Sequence, residues 1–336
     1  VTSTAISCYG SDDGTITITG ATGGYGTYAY SIDGGTTWQA SGLFENLTPG
    51  TYDVRIADAS NPACVIILNP ALVIIEPAVL SATVNKTDVT CFGANNGTIS
   101  ITSPSGGHGT YQYTINGTTW QGFGTFSNLA PATYEVSIRD AANPLCVVIL
   151  DPALEINQPD ALSASLQKTD VSCFGGNDGT ITITGAAGGY GTYEYSINGG
   201  GSWNSTGVFT NLIAGAYNIL IRDAAHQGCI IVLNNAYIIT QPSMLSATVS
   251  KTEVSCNGFD DGTITITNPL GGYGTYEYSV TGGASWFGTS TFNNLAPGTY
   301  DVRMRDAANP ACSAILYPNL LITEPLTLSL SSTGDV

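Results

Sequence analysis

Eight cysteines are the residues best equipped for chemistry, and their spacing is regular. They fall at Cys8, Cys64, Cys91, Cys146, Cys173, Cys229, Cys256 and Cys312, with gaps of 56, 27, 55, 27, 56, 27 and 56 residues. A thiol can bind metal, attack as a nucleophile or pair in a disulfide. Zinc sites favour close Cys-x-x-Cys pairs, usually with histidine, and the only histidines are His108 and His226. Those two occupy different positions in the period, and no base recurs beside the abundant serines and threonines. No catalytic residue is therefore expected. A cysteine pair in every period reads instead as disulfides, hence an oxidising, extracellular compartment. Closing a loop of this length would contribute about 4 kcal/mol in the chain-entropy account.

Three other residue sets recur. The turns Asp12-Asp13-Gly14, Asn95-Asn96-Gly97, Asn177-Asp178-Gly179 and Asp260-Asp261-Gly262 could ligate calcium through Asp12, Asp13, Asp178, Asp260 and Asp261. The plainer reading is a turn, because Asp-Gly and Asn-Gly are preferred turn dipeptides and the second copy has no carboxylate. Asp58, Asp140, Asp223 and Asp306 end a long strand, where each could satisfy turn amides or pair with Arg55, Arg139, Arg222 or Arg305. Finally, Gly-Gly-x-Gly-x-Tyr places Tyr25, His108, Tyr190 and Tyr273 at a loop tip. That ring is expected to pack against the preceding module, with ligand contact as the alternative. No cofactor is expected unless the turns hold calcium.

Composition bounds what these residues can serve. Charged residues are 10% of the 336, and the net charge is −17, with 25 Asp+Glu against eight Lys+Arg. Such a surface repels phosphate backbones and anionic lipid, which argues against nucleic-acid partners. No apolar run reaches the roughly 20 residues of a membrane helix, so no membrane insertion is expected. Thr, Ile and Tyr suit a pleated, half-buried surface, pointing to an all-β fold.

The elements follow from the period of 82 or 83 residues, also marked by Trp38, Trp120, Trp203 and Trp286. The fold expected is a tandem array of four immunoglobulin-like β-sandwich modules, stacked head to tail, over 1–77, 78–159, 160–242 and 243–325. Residues 326–336 read as the first strand of a fifth repeat, and Val1 aligns with Val84, partway into a first strand. The sequence is thus expected to be a segment of a longer array. In the third copy, "GTITIT" from Gly179 alternates, with Ile181 and Ile183 inward. About seven short strands per copy, lettered A to G, are expected. Tyr52, Tyr134, Tyr217 and Tyr300 follow a turn and read as tyrosine corners. Linkers of one Xaa-Pro (Glu76-Pro77, Gln158-Pro159, Gln241-Pro242, Glu324-Pro325) predict a stiff rod.

Connectivity has three readings. The expected one pairs cysteines within a module: Cys8–Cys64, Cys91–Cys146, Cys173–Cys229 and Cys256–Cys312. In a strict immunoglobulin topology, however, the A–B and F–G loops lie at opposite ends. Stacking would then bring Cys8 to Cys146, Cys91 to Cys229 and Cys173 to Cys312. Pairing of sequence neighbours, such as Cys64 with Cys91, ranks third.

The strings "SCYGSDDGTITI", "TCFGANNGTISI", "SCFGGNDGTITI" and "SCNGFDDGTITI", each followed by Gly-Gly-x-Gly-x-Tyr and a closing Asp-Ala-x-x-x-x-Cys, resemble the SprB repeat of Bacteroidetes surface proteins. The second copy departs at Asn95-Asn96 and Pro131-Ala132, and the third at Ala214-Gly215. The resemblance implies large surface proteins exported by type IX secretion, acting in gliding motility, attachment or surface filaments. The function expected is a non-enzymatic stalk or filament whose partners are neighbouring repeats of one long polypeptide, or self-association. Two other classes compete: an adhesin binding surface glycans through the tyrosine loops, and an accessory segment of a secreted enzyme.

Overall fold

The computed structural model describes residues 1–330, and all regular structure among them is β. Two compact units divide the chain, Val1–Pro159 and Asp160–Val336. In the first unit, β1 (Thr2–Thr4), β2 (Gly14–Thr17), β3 (Tyr28–Ser31), β4 (Leu43–Leu47), β5 (Gly50–Asp58) and β6 (Asn61–Ile74) make one sandwich. The next is β7 (Ser81–Thr87), β8 (Gly97–Ser105), β9 (Tyr111–Thr114), β10 (Thr125–Leu129), β11 (Ala132–Asp140) and β12 (Val147–Ile156). In the second unit, β13 (Ser163–Thr169), β14 (Gly179–Ala187), β15 (Tyr193–Ser196), β16 (Val208–Leu212), β17 (Gly215–Asp223) and β18 (Ile230–Ile239) form the third sandwich. The fourth comprises β19 (Ser246–Thr252), β20 (Gly262–Leu270), β21 (Tyr276–Ser279), β22 (Thr291–Leu295), β23 (Gly298–Asp306) and β24 (Ser313–Ile322).

Each sandwich faces one three-stranded antiparallel sheet with another, β1-β2-β4 against β3-β5-β6 in the first copy and its equivalents elsewhere. This is the A-B-E and C-F-G division of an immunoglobulin-like sandwich. Six strands form per copy rather than the seven expected. The missing strand D is reduced to one bridge, Tyr30↔Gln39, repeated as Tyr113↔Gln121, Tyr195↔Asn204 and Tyr278↔Phe287. Glycines and polar residues there leave too little apolar surface to hold a longer ladder.

The period-2 pattern decides the core. Ile16, Ile99, Ile181 and Ile264 point between the sheets and are fully buried, with Val54, Val136, Ile219 and Val302 from the facing sheet. Burying each such side chain contributes about 1.5–3 kcal/mol. Tyr52, Tyr134, Tyr217 and Tyr300 donate their hydroxyls to the carbonyls of Thr48, Ala130, Ile213 and Ala296 at 2.7–2.9 Å, closing the corner into β5, β11, β17 and β23. Among the described residues, no helix is long and apolar enough to cross a membrane. Residues 326–330 form no strand, and 331–336, where the expected fifth-repeat strand continues, lie outside the described residues.

Strand directions send the A–B loop to one end of each sandwich and the B–C and F–G loops to the other. This placement governs every site considered next.

Candidate functional site: the junction between sandwiches

Within the first unit Cys8 bonds Cys146, and within the second Cys173 bonds Cys312, with Cα atoms 5.3 Å apart in both. The expected pairing within a module is therefore corrected. Cys8–Cys64, Cys91–Cys146, Cys173–Cys229 and Cys256–Cys312 would each span a whole sandwich, because their loops lie at opposite ends. The observed bonds join the A–B loop of one sandwich to the F–G loop of the next. Cys91 and Cys229 carry no free thiol, whereas Cys64 and Cys256 are free and exposed.

Each bond sits on a prepared surface. Cys146 is buried in a cluster with Leu80, Val89 and Ile138, and Cys8 packs against that cluster from the preceding sandwich. Cys312 and Cys173 repeat this against Leu245 and Met304. Asn143 Nδ2 donates to Ser7 O at 3.1 Å, and Asn309 Nδ2 donates to Ser172 O at 3.3 Å. Sequence reasoning missed these asparagines, although the recurring Asn-Pro before the cysteine was a usable signal. The A–B loops are held from behind by the residue preceding the linker proline. Glu76, Gln158, Gln241 and Glu324 accept from the amides of Gly10, Gly93, Gly175 and Gly258 at 2.7–3.0 Å. The Cys-x-Gly motif and the linker are thus one device.

The strand-end aspartates organise the opposite face. Asp140, Asp223 and Asp306 are fully buried and Asp58 nearly so. Each accepts the amide of its loop-tip residue, Tyr25, His108, Tyr190 or Tyr273, and a second amide from the F–G loop, Ser60, Ala142, Ala225 or Ala308. The Tyr25 amide hydrogen bond holds the Asp58 carboxyl below its usual range. Burial pushes Asp140 up, but hydrogen bonds from the His108 ring and amide outweigh it and the net shift is downward. Asp223 follows the same balance: burial pushes it up, and the Tyr190, His226 and Ala225 amides together bring the net shift downward. The arginines are not their partners. Arg139, Arg222 and Arg305 lie over Trp120, Trp203 and Trp286 at 4.3–4.6 Å, while Arg55 pairs with Asp53 at 2.6 Å.

The glycine pair at this face has a steric cause. A Cβ on Gly106 would lie 2.1 Å from Val79 O, and one on Gly107 would meet Asp140 Oδ2 at 2.5 Å. Both also have positive φ, which favours glycine.

The loop-tip rings differ. The Tyr273 hydroxyl donates to Ser172 O of the preceding sandwich at 3.2 Å. His108 Nδ1 contacts Asp140 Oδ2 at 2.8 Å, Tyr190 stacks on His226 with centroids 4.2 Å apart, and Tyr25 is 78% exposed.

The candidate calcium turns are occupied by their own chain. Asp13, Asp178 and Asp261 accept the amides of Ser7, Ser172 and Ser255 at 2.8–2.9 Å. Side-chain hydrogen bonds from those serines, then their amides, lower all three carboxyls. In the second copy Asn96 accepts the Thr90 amide in the same way, so the position needs an acceptor rather than a charge. Among the described residues, no group of three or more His, Cys, Asp or Glu could hold a metal ion.

The SprB repeat model matches four times, at residues 1–37, 83–119, 165–202 and 248–285. Each match runs from strand A into the turn before or around the tryptophan. No curated protein matches the chain. Among solved structures, three N-terminal domains of the bacteriophage RB49 outer capsid protein Hoc align at 11% identity and TM-score 0.30, covering 74% of this chain and 99% of that one. Domains 1–6 of the surface layer protein SbsC align at 13% identity and TM-score 0.23, covering 95% of this chain and 53% of that one. The SprB repeat thus recurs four times along this all-β tandem series.

Proposed function

We propose that this chain is a non-enzymatic structural segment of an extracellular cell-surface protein, in a stalk or filament that serves attachment or gliding motility. The observation that supports this best is the disulfide from one sandwich to the next, Cys8–Cys146 and again Cys173–Cys312. A bond placed there contributes nothing to the closure of a single sandwich. It couples neighbours, so load passes through a covalent staple as well as the Xaa-Pro linker. Disulfides also persist in oxidising, extracellular surroundings. The buried polar groups favour the same reading, because the aspartate cap recurs in all four copies and is consumed by backbone amides. Export by type IX secretion belongs to this proposal through the family likeness.

Immunogold labelling of intact producing cells with antibodies against this chain tests the reading. Label on surface fibres is expected, together with weaker attachment or gliding when the gene is deleted. Label that needs permeabilised cells would overturn it. A glycan array separates the competing class: saturable binding lost in Tyr25→Ala would favour a glycan-reading adhesin.

A further inference from the structure

The two staples join distant points of the chain. Cys8 and Cys146 are 138 residues apart in sequence, and Cys173 and Cys312 are 139 apart. In each unit, strand A leads into the first cysteine and strand G leads out of the second. The shortest covalent route through the first unit is therefore β1, the Cys8–Cys146 bond, β12 and the Gln158-Pro159 linker. Through the second unit it is β13, the Cys173–Cys312 bond, β24 and the Glu324-Pro325 linker.

β12 and β24 have almost no length left to give, because a strand already rises about 3.3–3.4 Å per residue against a limit of about 3.6 Å. Each is also paired along its length with strand F of its own sandwich, from Ala132↔Ile156 to Arg139↔Val147 and from Gly298↔Ile322 to Arg305↔Ser313. Tension along the route runs end to end along these strands. It shears the ladder as a whole and does not peel one pair at a time. The strands off the route are β2 to β11 in the first unit and β14 to β23 in the second. They include the fully buried core residues Ile16, Ile99, Val54 and Val136.

We propose that tension along the chain is carried by strand A, the staple and strand G of each unit, and that the strands inside each stapled loop are shielded from it. Work done by a force is force times extension. Unfolding inside the loop releases no length, so tension does not favour the unfolded state there. Without the Cys8–Cys146 bond, the same 138 residues would release up to about 480 Å. This inference deepens the stalk reading and takes from it only that load runs along the chain.

Optical-tweezer extension of the full chain tests it, with one handle on the Val1 amine and the other on an azido amino acid replacing Asp160, whose side chain is exposed. The route between them, Val1–Cys8 and Cys146–Asp160, allows an end-to-end distance of at most about 80 Å. The oxidised chain should stay within that limit at every force short of bond rupture. Dithiothreitol should then release up to about 480 Å more. One thiolate of the reagent attacks a cysteine sulfur and frees the other cysteine, and its second thiol then displaces the first. Two cysteine thiols form and one dithiothreitol becomes its cyclic disulfide. The chain carrying both Cys8→Ser and Cys146→Ser should extend as far without reductant. Ile99→Ala, which opens the core of the second sandwich, should leave the oxidised trace unchanged and lower the unfolding force of the double serine variant. An oxidised chain that lengthens past the limit, with or without Ile99→Ala, would overturn the proposal and leave the surface role standing. A double serine variant that keeps to the wild-type limit would overturn it equally. Label confined to permeabilised cells would do the reverse, removing the surface role and leaving the route intact.

Discussion

Around Cys146, the chain Asn143-Pro144-Leu145-Cys146 folds back as a turn, with Cys146 N donating to Asn143 O at 2.9 Å and Asp140 N to Cys146 O at 3.1 Å. Cys312 repeats both bonds with Asn309 and Asp306. Around Cys64, the chain Asn61-Pro62-Ala63-Cys64 is almost identical, yet β6 begins at Asn61 and the register shifts between the Asp58↔Asn61 and Ala57↔Val65 pairs. Local sequence does not separate these loops. Only the turn forms have an A–B loop against them, supplying a cysteine for the bond and a carbonyl for the asparagine. The comparison teaches that the F–G loop takes its shape from the neighbouring sandwich, a tertiary choice between two local conformations.

The largest expected effect breaks this contrast directly. Replacing Cys8 and Cys146 together by serine removes a link across 138 residues. It should cost roughly 2–5 kcal/mol in denaturant unfolding. Hydrogen exchange should then show Asp140–Cys146 amides losing protection toward the level of the Cys64 loop.

Next comes the aspartate cap. Asp140→Ala strands the His108 and Ala142 amides in a buried setting and should cost about 2–4 kcal/mol. Asp58→Ala, at the open face, should cost roughly half as much, because water reaches the freed amides. Equal losses would show that the neighbouring sandwich does not matter to the cap.

The same carboxylates set the acid limb of stability. Asp58, Asp140 and Asp223 have native pKa values below the unfolded value of about 3.9. The unfolded chain therefore binds protons first as pH falls. Their contribution is fully present above about pH 4–5 and is lost as pH drops through the depressed native values. Thermal melting should be flat from pH 7 to 5 and should fall steeply below 4. A flat profile down to pH 2 would contradict the assignment.

A smaller change sharpens the comparison between copies. Ala57 stands where Arg139, Arg222 and Arg305 cover a tryptophan, and Trp38 is 37% exposed. Ala57→Arg should place a guanidinium over Trp38 and stabilise the first sandwich by about 0.5–1 kcal/mol, read by chemical denaturation. Smallest of all is chelation. With Asp13, Asp178 and Asp261 already accepting serine amides, excess EDTA should leave the melting temperature unchanged. A drop of several degrees would restore the calcium reading.

Much of this was legible in the residues themselves. The alternation of "GTITIT", the tyrosine that recurs after the same turn in every copy and the spacing of cysteines determine an all-β series of like sandwiches, because period and steric preference act over a few residues. The glycine pair, too, is required locally by positive φ. Other features were not local. Which cysteine meets which depends on the ends to which the A–B and F–G loops are carried, and 56 residues of intervening chain do not encode that in any short pattern. The same holds for the arginine over the tryptophan in the last three copies, which comes from a strand two elements away. The cysteine spacing determined that there would be staples. Only the tertiary structure decided that they would join sandwiches rather than close them, because it alone sets the distance between loops at opposite ends of a fold.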